Sequence, residues 1–314
     1  MIDSPATVSY SQEADVIQLE VTAQRKTAAP PPGAHYFLYQ PLRWKGWESH
    51  PFTLATWESA DSYSFREKTV VESTENRFRT EIEQQQDEKS PYSVKQGSGA
   101  TSTITLSPEA EKAWHRRKLI FWIRPCSGWT NSLRDACLAQ SDTPVRTKIL
   151  IEGPYGHTVP IHTYDNVLYI IGGTGISVAT SYLTDHMYRS AANPSKTRTK
   201  RITLLWTVKQ AQHIRDTMES PVGQLFNRDD VHTVFYASQQ NGIPSEEKDS
   251  GIQSGRPDVR DEIFRYVEEA SCTERTAIIT CGPAAMADSV RDAMKSVVNN
   301  GRRGVDYFEE AYGW

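Results

Sequence analysis

In the first third of the chain, short apolar runs alternate with polar residues and are broken by turn signals. Val16–Thr22 (VIQLEVT) alternates residue by residue, Pro30–Gly33 turns the chain into Tyr36–Tyr39 (YFLY), and Pro51–Trp57 (PFTLATW) follows a second turn-rich segment. A strand sends successive side chains to opposite faces, so this pattern predicts short strands with one buried side, as in a small antiparallel barrel or sandwich. From about Glu72 to Arg116 the pattern stops. The segment STENRFRTEIEQQQDEKSPYSVKQGSGATS offers little to bury and is expected to be a mobile insertion. Apolar order resumes at Leu119–Ile123 (LIFWI).

Beyond Thr147 the pattern changes in kind. Apolar runs at Lys148–Ile151, Val167–Ile171, Ile202–Val208, Val231–Ala237 and Thr276–Cys281 alternate with helical stretches. The helices are expected at Ile176 to about Ser190, near Val222–Phe226, at Pro257–Glu269 and at Ala284–Val298. Near-continuous apolar strands separated by helices predict a parallel sheet covered on both faces. A second polar loop is expected at Gln239–Gly255. The expected organisation is an antiparallel β-barrel over residues 1–159, with its insertion at about 72–116, followed by a doubly wound α/β domain over 160–314.

Length and composition narrow the function. The chain has 314 residues, enough for two ordinary domains, and 38% apolar with 24% charged residues describes a globular protein. A formal charge of −4 spread along the chain gives no sign of a nucleic-acid partner. No apolar run reaches the roughly 18 residues of a membrane helix, and the opening MIDSPATVSY lacks the pattern of a secretory signal. Cys126, Cys137, Cys272 and Cys281 are too few and too scattered for a disulfide framework or a zinc site. A reducing compartment and no metal in this chain are the expectations.

Four segments carry candidate chemistry. Gly172-Gly173-Thr174-Gly175 follows the apolar run VLYII and opens a helix. Glycines there let backbone approach a pyrophosphate at the positive end of the helix, although such turns also arise for packing. Cys281-Gly282-Pro283 follows TAIITC, which puts a thiol where open α/β sheets bind ligands; an inert core cysteine is the plainer reading. His50-Pro51-Phe52-Thr53 could grip a flat heteroaromatic ring by stacking and through the hydroxyl, or could be ordinary strand packing. Gly128-Trp129-Thr130 precedes a helical stretch, where Thr130 suits an N-cap and the helix start suits an anion.

Taken together, these motifs resemble the ferredoxin–NADP reductase superfamily, and within it the ferric reductase and NADPH oxidase branch. HPFTLAT is similar to that branch's flavin motif, IRPCSGWTNSL to its diphosphate segment and IEGPYG to its interdomain link. YIIGGTGIS, LLWTVK, GRPDV and CGPAAM are similar to its pyridine-nucleotide half, and the ending VDYFEEAYGW resembles fungal ferric-chelate reductases. The resemblance spans nearly the whole chain outside the two polar segments.

The resemblance implies a role for each matching position. Pro51 and Phe52 would pack at the isoalloxazine of FAD and Thr53 would hydrogen-bond near its reactive edge. His50 falls where many relatives carry a diphosphate-binding Arg. Gly128, Trp129 and Thr130 would donate to that diphosphate. Gly173, Thr174 and Gly175 would hold the NADPH pyrophosphate; Gly172, Gly282, Pro283 and Met286 are further cofactor-binding positions, the Gly282-Pro283 pair letting a flat ring approach. Lys209 and Arg256 suit the 2′-phosphate of NADP. Cys281 would lie against the nicotinamide, and Trp314 would cover the flavin face and swing aside for hydride transfer.

The activity implied is hydride transfer from NADPH to FAD, then single-electron transfer to haem in a membrane domain absent from this chain. The terminal acceptor would be a ferric chelate or oxygen. The chain is therefore expected to be a soluble piece of a longer membrane protein, placed at the cytosolic face. The alternatives are an NADPH oxidase-type module that produces superoxide, a stand-alone cytosolic flavin or ferric-chelate reductase, and a module that binds NADPH without turnover.

Overall fold

The computed structural model describes residues 2–23, 29–40, 48–58, 117–140, 144–192, 194–239 and 251–310. The insertion expected at about 72–116, most of the loop expected at 239–255, and Trp314 lie outside the described residues.

The first sheet contains β1 (Ile2–Ser11), β2 (Val16–Thr22), β3 (His35–Tyr39), β4 (Ser49–Thr53), β5 (Thr56–Glu58), β6 (Lys118–Ile123) and β7 (Val145–Tyr155). Their order is β4-β3-β7-β1-β2-β6-β5, with antiparallel pairing from β4 through to β6. β4 and β5 sit at opposite edges, yet only Leu54 and Ala55 separate them. A flat sheet would part those edges by about 29 Å, six strand spacings. The chain from Thr53 to Thr56 can reach only about 11 Å. The sheet must therefore curl until its edges meet, and backbone bonds mark the crossing. Leu54 N–H donates to Ala34 O (2.9 Å), and Ala55 N–H donates to Ile120 O (2.9 Å). The apolar stretch expected as one strand over Pro51–Trp57 is thus two strands joined by this crossing.

Alternation along β2 turns Ile17, Leu19 and Val21 inward, and these, like Val8, Leu38, Phe121, Ile123 and Ile149 of the same sheet, are almost fully buried. Each such side chain contributes about 1.5–3 kcal/mol relative to an exposed position. Helix α1 (Gly128–Ala139) joins β6 to β7.

The second sheet is parallel throughout: β8 (Asn166–Gly172), β9 (Arg201–Val208), β10 (Val231–Ala237), β11 (Ile252–Ser254), β12 (Thr276–Cys281) and β13 (Val305–Glu309). Its order is β11-β10-β9-β8-β12-β13. The intervening helices are α2 (Ile176–Ala192), α3 (Gln212–Glu219), α4 (Val259–Glu269) and α5 (Ala284–Asn299). Strand alternation divides β8 between two cores. Val167, Tyr169 and Ile171 pack with residues of α2 and α3, while Leu168 and Ile170 pack with residues of α4 and α5. Both faces are therefore covered, as the continuous apolar runs require.

Helix boundaries follow local chemistry. Asp258 caps α4, accepting from Arg260 N–H (3.0 Å) and Asp261 N–H (3.1 Å), so the helix begins two residues later than expected. The helix expected near Val222–Phe226 is a short 3₁₀ turn over Pro221–Leu225, started by the Ser220 side chain and Pro221. The helix in this region is α3, just before it. The end of the expected polar loop at 239–255 forms β11.

Apart from Glu58, the residues of both sheets belong to one compact unit. Among the described residues α2 makes three polar links between them, beside one from Ser11 Oγ to Asp216 Oδ2 (2.6 Å). Thr180 Oγ1 donates to Ala55 O (2.8 Å), Gly33 N–H donates to Ser181 Oγ (2.9 Å), and Val159 N–H donates to Tyr182 OH (2.9 Å). Trp57 stacks on Tyr188 at 5.9 Å. Among the described residues no helix is long and apolar enough to cross a membrane.

Thr180 is fully buried, and its hydroxyl proton satisfies a carbonyl at the barrel crossing. Thr180→Val keeps the shape but leaves Ala55 O unpaired, so stability should fall by about 1–3 kcal/mol. Denaturant unfolding followed by tryptophan fluorescence measures the change.

Candidate cofactor-binding site

Topology selects the site. β8 starts the parallel sheet; β9, β10 and β11 build outward on one side, and β12 and β13 on the other. The order reverses between β8 and β12, and open α/β sheets bind ligands beyond the carboxyl ends of the strands flanking such a reversal. Those two ends are Gly172 and Cys281, paired in register through Cys281↔Ile171. Two motifs far apart in sequence thus become neighbouring turns.

The turns meet backbone to backbone. A Cβ at Gly175 would lie 2.5 Å from Cys281 O and 3.0 Å from its Sγ, and one at Gly172 would lie 2.6 Å from Pro283 Cδ. No side chain fits at either place. Gly173 differs: at φ +55° it has nothing within 4 Å of a Cβ position, so the turn is open above it. Trp206 Nε1–H holds the turn by donating to Gly173 O (2.9 Å). No side chain caps the turn's start, and α2 continues directly from it. An open glycine at the N-terminus of a 17-residue helix fits a nucleotide diphosphate. Thr174 lies in that turn, whereas the Met286 methyl packs behind Gly172 and Gly282, against the core of α4 and α5.

Burial pushes the Cys281 thiol up to about 12, with the nearby Glu310 carboxyl adding to the effect. The thiol is therefore protonated at neutral pH and is a packing group rather than a nucleophile. Sequence reasoning missed Glu310. It follows β13, beside the end of β12, and its N–H donates to Thr280 O (2.9 Å). Burial lifts its carboxyl to about 7. The signal for it is the short run VDYFE before it, read as a further strand next to TAIITC.

Lys209 and Arg256 lie on one rim. Gln239 N–H donates to Lys209 O (2.9 Å) just past β9, and Gly255 N–H donates to Ala237 O (2.8 Å) just past β11. Both residues are exposed, two strands apart or about 10 Å, with β10 between them.

On the barrel, His50, Phe52 and Trp129 form one aromatic group. His50 stacks on Trp129 at 6.4 Å, and Phe52 meets Trp129 edge-on at 5.7 Å. The next residue in register alternation, Thr53, ends β4 and pairs with His35 on the same sheet. Pro51 faces Phe37 across the same strand pair. Thr130 is not the N-cap; Ser127 holds that position. The Thr130 hydroxyl donates to Ser127 O (2.8 Å) and accepts from Cys126 N–H (3.2 Å), so it is spent within the loop. The Trp129 backbone N–H instead donates to the Glu48 carboxylate (3.1 Å). A carboxylate at the start of α1 stands in for an anion and shows that this helix end accepts negative charge, so the residues fit a flavin diphosphate.

The barrel strand and the nucleotide turn are linked by short steps. Thr53 is two residues from Ala55, Ala55 O accepts from Thr180, and Thr180 lies in the first turns of α2 immediately after Gly175. Gly175 in turn abuts Cys281.

Comparison with known proteins bears on the two domains and the fold. A family model described as FAD-binding domain matches residues 3–110, and one described as Ferric reductase NAD binding domain matches residues 164–220. Ferric reductase transmembrane component 6 of Saccharomyces cerevisiae is 24% identical over 231 residues, covering 67% of this chain and 31% of that protein. The chain thus spans about a third of that relative's length. In fold, it is similar to the cytochrome b5 reductase domain of Ulva prolifera nitrate reductase (TM-score 0.54, 13% identity, covering 98% and 97% of the two chains). A ferredoxin NADP+ reductase from Neisseria gonorrhoeae, solved with FAD and NADP, gives TM-score 0.54 at 11% identity, covering 98% and 99%.

The Glu310 carboxyl yields a pH prediction. Its folded value, about 7, lies above its ordinary value of 4.5, so between these pH values the folded state holds more proton than the unfolded state. Stability should therefore fall as pH rises through that window. Glu310→Gln should abolish this share of the decline, read from denaturant midpoints at pH 5 and pH 8. Identical pH slopes in the two proteins would contradict it.

Proposed function

We propose that this chain, which belongs to the ferric reductase branch of the ferredoxin–NADP reductase superfamily, moves hydride from NADPH to FAD and serves the haem of a membrane ferric reductase. The carrying observation is the meeting of the Gly172–Gly175 and Cys281–Pro283 turns at the sheet reversal, tied to the flavin strand through Thr180. When bound, FAD accepts hydride from the nicotinamide and releases its electrons one at a time.

The chain's own residues bind and orient. Gly173 and Thr174 cradle the nucleotide diphosphate at the start of α2. Lys209 and Arg256 on the carboxyl rim offer two cations to a 2′-phosphate, which supports NADPH over NADH. Gly282 and Pro283 keep the floor flat, and the neutral thiol of Cys281 packs against the ring without attacking it. Phe52, His50 and Trp129 supply the aromatic wall, and Thr53 a hydroxyl at the flavin edge. Glu310 holds or releases a proton beside Cys281. Trp314, outside the described residues, is proposed to cover the flavin face until nicotinamide displaces it. Onward electron transfer to haem in a membrane part, with a ferric chelate as acceptor, is supported by the similarity to the yeast ferric reductase transmembrane component.

Anaerobic rapid mixing of the flavin-loaded protein with NADPH or NADH tests this reading through the loss of flavin absorbance. NADPH should reduce the flavin faster, and the double change Lys209→Ala with Arg256→Ala should erase that preference, a loss of about ten- to hundredfold. Thr53→Ala should slow reduction about three- to tenfold without loss of the fold. Absence of bleaching by either nucleotide would refute the proposal.

A further inference from the structure

We infer that Glu48 sets how tightly this chain holds FAD: its carboxylate occupies the place at the start of α1 that the cofactor's diphosphate would take, so binding must displace it. This rests on the flavin reading above. The argument begins with the helix. α1 runs for 12 residues, its N-cap Ser127 is extended and gives no side-chain hydrogen bond, and its first turn has no acidic residue. Its leading N–H groups and dipole therefore lack a local anion. The charge comes instead from 81 residues away, where Glu48 Oε2 accepts from Trp129 N–H at 3.1 Å.

The approach is built into the backbone. Gly128 takes φ +57°, and any Cβ there would collide with that same carboxylate oxygen. Only glycine leaves the pocket open to an oxyanion. The indole N–H of Trp129, fully buried, has no hydrogen-bond partner among the described residues. Glu48 itself is exposed and can leave for water at little cost. A carboxylate and a diphosphate cannot share one helix end, because both are anions and the site offers one positive pole. Glu48 thus acts as a built-in competitor that weakens FAD binding, and specifically the part of it due to the diphosphate.

The test compares the full chain with Glu48→Gln, which keeps an acceptor for Trp129 N–H but loses the charge, and with Glu48→Ala, which loses both. Dissociation constants are measured by flavin fluorescence for FAD and for riboflavin, which has no phosphate. Removal of the charge should tighten FAD by about three- to tenfold and leave riboflavin unchanged. If the original protein binds FAD but either folded variant binds it no tighter, or riboflavin tightens equally, the inference is wrong. If neither the original chain nor the variants bind FAD at all, the flavin reading itself fails and the inference falls with it.

Discussion

The rest of the site depends on one contact: two turns packed with bare backbone between them. Gly172 and Gly175 of one turn press against Pro283 and Cys281 of the other, at distances that no side chain could tolerate. A parallel sheet brings the ends of β8 and β12 side by side, but side chains on both turns would fill the crevice between them. Glycine removes that filling and leaves a flat floor where strand order reverses. The raised values of the half-buried Cys281 thiol and Glu310 carboxyl follow from the same closeness, since both are partly withdrawn from water at this junction.

α2 extends this constraint to the barrel. Its first residues close the nucleotide turn, and residues one to three turns along hold Gly33, Ala55, Val159 and Trp57. One helix therefore holds both the Gly172–Gly175 turn and the edge of the strand carrying Phe52 and Thr53. Hydride transfer demands that two flat rings meet within about 3–3.5 Å, and a shared rigid element is a direct way to hold that geometry. The apolar interior of both sheets supplies the stiffness, with Tyr169, Tyr182 and Trp206 wholly buried around α2.

Much of this was legible in the chain itself. Runs such as VLYII and TAIITC are apolar throughout because both faces of a parallel strand are covered, and the glycine after each marks where the strand must stop. What escaped depends on partners distant in sequence. The break at Leu54-Ala55 follows from pairing with Ala34 and Ile120, which no local pattern encodes. The cap at α1 was misplaced because Ser127 and Thr130 are both good capping types, and only the loop's internal bonds decide between them. β13 is short and carries Asp306 and Glu309, so its period is weak, and Glu310 stayed hidden behind it. Glu48 reaches α1 across 81 residues and leaves no local trace.

The central claim is that the two sheets hold flavin and nicotinamide rings face to face. Stacked rings of this kind share electron density, so the most direct measurement is absorbance beyond the flavin band when NADPH is mixed anaerobically with the FAD-loaded protein. The account predicts a transient long-wavelength charge-transfer band that rises with nucleotide binding and decays as the flavin bleaches. Saturating binding of both cofactors with neither the band nor bleaching would contradict it.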